Sequence, residues 1–202
     1  VFDGTDDSGN PLADGEYKAS VHAKYLNGYE PAVISSPVVV LDTKKPEAQI
    51  RVSDKVFGAG SKNSVEFSLM VAPSAGTPVN EWSAVIMTSD RKQVVKTYEL
   101  GEYPPQTLSW NGICDDGTVA QKGDYIFVMN GTDLAGNEGG GESNTLFTFD
   151  TTEAQLLLAV SDTAFSPDGN GVKDTLTFSP VTQTQDVVSY VFNISDGTEK
   201  TV

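Results

Sequence analysis

The sequence predicts an all-β fold, a tandem series of two-sheet β-sandwiches. Three observations carry this expectation. Short runs of alternating apolar and polar residues are separated by clusters of Gly, Asn, Asp and Pro. No segment sustains the 3.6-residue apolar period of an amphipathic helix. The sequence also repeats itself at a spacing of about 108 residues, the size of one sandwich domain.

The repeat is read by pairing positions. Phe2-Asp3-Gly4 matches Trp110-Asn111-Gly112, and Asp7, Gly9, Gly15 and Tyr17 fall on Asp115, Gly117, Gly123 and Tyr125. The same offset of 108 takes Asp42-Thr43 to Asp150-Thr151, Ser53-Asp54 to Ser161-Asp162 and Phe57 to Phe165. A short insertion then moves the offset to 111, where Phe67-Ser68 meets Phe178-Ser179. A short deletion moves it to 106, where Ser89-Asp90 meets Ser195-Asp196. The phase divides the chain into residues 1–45, the C-terminal half of a repeat; 46–152, a complete repeat; and 153–202, the N-terminal half of a third.

The complete repeat carries seven strand signals. They are Ala48–Val52, Val65–Val71, Trp82–Met87, Val94–Leu100, Thr107–Trp110, Tyr125–Met129 and Leu146–Phe149. Gly, Asn and Asp in the intervening turns supply the positive φ that tight turns require. Seven short strands of this kind form an immunoglobulin-like or fibronectin-III-like β-sandwich. Its expected core includes Trp82, Val85, Trp110, Tyr125, Phe127 and Phe149. Tyr125, just after Gly123, is expected to tie a sandwich corner through its hydroxyl.

Three motifs extend the reading. The first is Phe165-Ser166-Pro167-Asp168-Gly169-Asn170-Gly171-Val172-Lys173-Asp174. The second joins Trp110-Asn111-Gly112, Asp115-Asp116-Gly117 and Gly123-Asp124-Tyr125. The third is Asp133-Leu134-Ala135-Gly136-Asn137 followed by Phe149-Asp150-Thr151-Thr152. In this order the chain resembles the FlgD-type immunoglobulin-like domain of flagellar hook-capping proteins and bacterial surface proteins. The middle repeat departs from the first motif, with no carboxylate in Phe57-Gly58-Ala59-Gly60-Ser61. The first repeat has Tyr25-Leu26-Asn27-Gly28-Tyr29 where the third motif would stand. The resemblance implies an extracytoplasmic protein, at the cell surface, secreted or periplasmic, serving as spacer, scaffold or adhesive module. Fold alone does not set the task.

The oxygen donors Asp168, Asn170 and Asp174 occupy positions 1, 3 and 7 of a loop, a spacing that suits Ca2+ with backbone carbonyls completing its shell. The competing reading is a Gly-rich turn whose Asp and Asn side chains cap their own backbone. Asp133 and Asn137 bracket a turn near the end of the repeat. By the resemblance, such a turn can share a cation with a neighbouring domain; the other reading is a plain hairpin turn.

Charge and composition exclude other classes. Thirteen Lys and Arg face 28 Asp and Glu, a net charge of −15. That field repels nucleic acid and anionic headgroups. No apolar run approaches the roughly 20 residues of a bilayer span. The lone histidine, His22, and the lone cysteine, Cys114, offer no base–nucleophile pair by sequence. Phosphate loops, dinucleotide fingerprints and Cys/His metal clusters are absent from the sequence. Asp115-Asp116 are paired carboxylates, but they sit in a Gly-containing turn rather than a cleft-forming segment. The sequence therefore reads as non-catalytic. Expected partners are other domains of the same long chain or other envelope and surface proteins. The alternatives are a glycan- or protein-binding module and an accessory domain of a large secreted enzyme.

The ends read as the limits of a segment from a longer chain. Each half-repeat, expected to hold three strands, should expose an apolar face and an unpaired edge. Either further chain covers those faces, which the ragged termini favour, or the N-terminal half of one molecule docks on the C-terminal half of another.

Overall fold

The computed structural model describes all residues except 59, 61, 73–75, 154, 183–186 and 197–202. The chain forms two compact units, Val1–Thr151 and Thr152–Val202. No helix occurs among the described residues, and every regular element is a β-strand.

The first unit opens with four short strands, β1 (Gly15–Tyr17), β2 (Ser20–Val21), β3 (Ile34–Ser35) and β4 (Val39–Leu41). β1 pairs antiparallel with β4, and β2 with β3. Four strands thus stand where three were expected, because the chain breaks its pairing between Tyr17 and Ser20.

The sandwich follows. Its first sheet holds β5 (Ala48–Val52), β7 (Val65–Val71) and β10 (Thr107–Trp110), with β7 in the centre. Its second holds β6 (Val56–Phe57), β8 (Val79–Thr88), β9 (Val94–Gly101), β11 (Gly123–Asp133), β12 (Glu138–Glu142) and β13 (Phe147–Phe149). There the order is β6-β13-β11-β8-β9, with β12 on the same edge of β11 as β13. The chain crosses between sheets after β7, after β9 and after β10, as in an immunoglobulin-like or fibronectin-III-like sandwich.

Nine strands stand where seven were expected. β6 is two residues long, too short for a periodicity signal. β12 reads Glu-Gly-Gly-Gly-Glu, a composition that weakens strands. Its glycines are there because backbone approaches too closely for any side chain. A Cβ on Gly139, Gly140 or Gly141 would lie 2.2, 2.0 or 1.9 Å from the carbonyl oxygens of Pro46, Met129 and Ala48. Parallel bridges Glu47↔Gly140 and Ile50↔Ser143 join β5 to the β12 segment, so this glycine strand closes one side of the sandwich.

The core lies between the sheets. β7 alternates without a slip, burying Val65, Phe67 and Leu69. Facing them are Trp82, Ala84, Ile86, Phe127, Met129, Phe147 and Phe149. Val85 is a correction: it is only half-buried. With a period of two, Trp82 sets the phase, so Ala84 and Ile86 point inward and Val85 turns to the outer face beside Val128. Trp110, 2% exposed, packs its ring 5.2 to 6.2 Å from those of Tyr125, Phe57, Phe149 and Phe147, and its Nε1 donates to the Ile113 carbonyl at 2.9 Å. The Tyr125 hydroxyl donates to the Gln121 carbonyl at 2.6 Å, the corner tie expected of it.

Many of these local bonds occur twice. Tyr17 donates to the Ala13 carbonyl at 2.6 Å, 108 residues before the Tyr125–Gln121 bond. Leu12 N–H bonds the Gly4 carbonyl as Ala120 N–H bonds that of Gly112. Both glycines have positive φ, +85° and +82°.

The second unit is a hairpin of β14 (Leu156–Val160) and β15 (Phe178–Thr182), joined by the acidic loop. Its described residues thus hold two strands where three were expected. The β5–β7 geometry recurs here. Ser53 N–H bonds the Glu66 carbonyl, and Ser161 N–H that of Thr177. The ion pair Lys62–Asp54, at 2.8 Å, matches Lys173–Asp162 at 2.7 Å.

Replacing Trp110 by Ala deletes a large side chain from a closed core and is expected to cost about 3–5 kcal/mol. Urea denaturation followed by Trp82 fluorescence measures it; an unchanged midpoint would remove Trp110 from the core.

Candidate functional site

The acidic loop is the insertion itself. Gly58 N–H bonds the Lys62 carbonyl, and 108 residues on Ser166 N–H bonds that of Lys173. The second loop spans three more residues, and it carries Asp168 and Asn170. Gly169 and Gly171 sit at φ of +79° and +82°, conformations open to glycine, which aim successive N–H groups into the loop. Asp174 collects two of them, Oδ1 accepting from Gly169 at 3.0 Å and Oδ2 from Gly171 at 2.8 Å. Asp168 accepts the Asn170 N–H on Oδ1 and its Nδ2 on Oδ2, each at 3.1 Å. Asn170 Oδ1 accepts the Val172 N–H at 2.7 Å. The structure therefore brings the three side chains to one loop, with their oxygens turned onto its own N–H groups. A cation there would have to displace these bonds. Among the described residues, no group of three or more His, Cys, Asp or Glu side chains is arranged to hold a metal ion.

Asp133, 4% exposed, organises the second turn. Its Oδ1 accepts from the N–H groups of Ala135 and Asn137 at 2.9 and 2.8 Å, and its Oδ2 from Asn137 Nδ2 at 2.9 Å. Asn137 Nδ2 also donates to the Asp42 carbonyl at 3.1 Å. The same backbone turn occurs at Tyr25–Tyr29, with Tyr25 N–H bonded to the Tyr29 carbonyl and Gly28 N–H to that of Tyr25. No carboxylate takes part there; Asn27 Oδ1 accepts the Tyr29 N–H at 3.0 Å.

Asp42 is a residue to which the sequence reading assigned no role. It follows β4, is 8% exposed and joins the first forty-odd residues to the sandwich. Its Oδ2 accepts the Thr77 N–H and, at 2.8 Å, the Thr77 hydroxyl; its Oδ1 accepts the Lys44 N–H at 3.0 Å. Gly76 lies so close that a Cβ would stand 2.2 Å from Asp42 Oδ2. The bond from Thr77 N–H, followed by those from Lys44 N–H and the Thr77 hydroxyl, holds the Asp42 carboxyl below its ordinary value of 3.8. The available signal was the recurrence of Asp42-Thr43 as Asp150-Thr151.

The remaining titratable groups do not form a reaction centre. Lys96 Nζ lies 2.9 Å from Asp115 and lowers its pKa, and the Thr118 hydroxyl lowers that of Asp116. Neither carboxyl holds the proton that a glycosidase general acid donates near neutral pH. His22 is exposed beside β2, whereas Cys114 is partly buried against the sandwich core. Trp110 is core and offers no ligand-stacking surface.

No family model matches the sequence, and no curated protein is similar to it. Solved structures share its general shape at low similarity. Dimeric latent PorU from Porphyromonas gingivalis matches at 14% identity and a TM-score of 0.40, over 70% of this chain and 13% of that one. The fibronectin(III)-like modules of Clostridium thermocellum CbhA match at 14% and 0.34, over 69% of this chain and 64% of theirs. The FN1–FN3 domains of chicken CNTN1 match at 11% and 0.34, over 85% of this chain and 65% of theirs. The chain thus spans less than two thirds of each of these structures.

Two predictions follow from the carboxylates. Because the Asp42 pKa is lowered on folding, its contribution is complete above the ordinary aspartate value and is lost as pH falls through the lower folded value. Exchange of the Thr77 amide should therefore stay slow at pH 5–7 and accelerate only below about 3.8. Asp42→Ala should make it fast throughout and speed trypsin cleavage after Lys44; unchanged exchange would show that Asp42 does not hold the joint. In the acidic loop, Asp174→Ala should expose the Gly169 and Gly171 amides to exchange in the absence of Ca2+. A Ca2+-dependent gain in their protection that Asp168→Ala abolishes would make the loop a cation site, and no gain would leave it a self-capped turn.

Proposed function

We propose that this chain is a non-catalytic structural or adhesive module of a bacterial cell-surface or periplasmic protein, built from tandem immunoglobulin-like repeats of the FlgD type. One observation carries the reading: the same bonds recur at the offsets read from the sequence. The tyrosine corner recurs at 108 residues, and the Lys–Asp pair recurs with Asp54 moved by 108 and Lys62 by 111. Recurrence of side-chain ties, beyond strand order, supports duplication of one unit. The Asp42 joint fits a spacer, since it fixes one repeat to the next with Thr77 and Asn137. The net charge of −15 suits a module that stays soluble and separate from anionic surfaces. No helix of the described residues is long and apolar enough to cross a membrane.

Glycan capture is the second reading, and the exposed Tyr25 and Tyr29 favour it. Their rings lie 6.0 Å apart, but they are tilted by 42° and so make no flat stacking platform.

Antibodies against this chain test the assignment on cells of the producing bacterium. They are expected to label intact cells, or cells with a permeabilised outer envelope. Label confined to the cytoplasm would overturn the proposal. Glycan binding lost on Tyr25→Ala and Tyr29→Ala would replace it with the second reading.

A further inference from the structure

Residues 1–45 carry an open groove of about 750 Å³ whose lining includes Phe2, Gly4, Tyr17, Val39 and Leu41. Moved forward by 108 residues, these positions are Trp110, Gly112, Tyr125, Phe147 and Phe149. The four large ones are buried in the middle sandwich, none more than 3% exposed. The local geometry is shared as well. Phe2 and Tyr17 ring centres lie 5.9 Å apart, Trp110 and Tyr125 5.2 Å. A Cβ on Gly4 would meet the Leu41 side chain, as one on Gly112 would meet Phe149. The groove is one wall of a core whose other wall is missing.

The middle sandwich shows what the other wall is made of. Ile50, Phe57, Val65 and Phe67 supply it, with Phe57 packed 5.6 Å from Trp110 and 5.1 Å from Phe149, and Phe67 5.1 Å from Phe147. Their counterparts in residues 153–202 are Leu158, Phe165, Leu176 and Phe178, apolar at every position. Leu158 and Phe165 are 53% and 50% exposed. Backbone pairing is available too. β13 is covered by β6 in parallel, Phe149 opposite Phe57, whereas β4 pairs only with β1 among the described residues.

We propose that residues 153–202 of one molecule dock on residues 1–45 of a second copy and complete a sandwich between them. Phe165 seats against Phe2 and Leu41, Phe178 against Val39, and the segment before Phe165 lies along the free edge of β4. The match of all four positions to the other wall of the intact core specifies a second copy as the occupant. The two surfaces differ, so the contact is head-to-tail and propagates. This inference rests on the repeat reading, which survives its failure because the repeated bonds lie within each half.

Sedimentation of the full chain tests it, in added salt to screen the charge of −15. The wild type is expected to exceed the 21.5 kDa monomer, with a mean mass that rises with concentration. Val39→Asp spoils one face and Leu158→Asp the other, so each variant alone should be monomeric. Mixed, they retain one intact pair of faces and should form a 1:1 dimer that grows no further. Both tryptophans lie in the middle sandwich, so its near-UV signal reports whether that domain remains folded in each variant. A wild type that stays monomeric, or variants that fail to associate on mixing, would overturn the proposal.

Discussion

A sheet of these strands has one apolar face, and that face must be covered. Each Å² of apolar surface left in water costs about 25 cal/mol, and the facing rows of the sandwich carry Phe57, Phe67, Trp82, Trp110, Phe127, Phe147 and Phe149. The other features serve that closure. The Tyr125 corner fixes where β11 leaves its loop. Gly112 takes a positive φ and leaves the space that the Phe149 ring occupies. The β12 glycines let one sheet edge come within bonding distance of β5.

The strands legible in the sequence are those whose two faces differ. β7 alternates buried and exposed over its first five residues, and its bounds were read without error. β8 and β11 were read too short because their ends reach beyond the core into polar residues. β12 was invisible, since a strand chosen for the absence of side chains carries no pattern. Val85 was misplaced because hydrophobicity does not encode phase: Val85 and Ile86 are equally apolar, and only the pairing with β11 and the inward Trp82 decides between them.

The candidate site was legible in membership but not in direction. The spacing of Asp168, Asn170 and Asp174 identified one loop, and they do meet there. Sequence spacing does not say whether an oxygen faces a cation or an N–H, because a Gly-rich turn supplies N–H donors at the same radius. The Tyr25 turn makes a related point. It keeps the hydrogen bonds of the Asp133 turn without the carboxylate, so the positive φ of Gly28 and Gly136 suits the turn and Asp133 adds its caps. The acid is therefore surplus to the turn itself. It orients Asn137, whose amide reaches the Asp42 carbonyl and so acts at the joint between repeats.

Side-chain volume bears on how firmly two half-repeats can hold one another. Across from Phe165 and Phe178 the N-terminal half offers Phe2, Ala19, Val39 and Leu41 where the intact sandwich has Trp110, Phe127, Phe147 and Phe149. On the other wall Leu176 replaces the smaller Val65, but Pro180 replaces Leu69. The exchanges remove far more volume than they restore, and lost core volume weakens packing in proportion to the cavity left. A core assembled from these halves is thus looser than the continuous one beside it. The tryptophan-rich middle repeat supplies the rigid element, and the lighter half-cores at either side make joints that yield first.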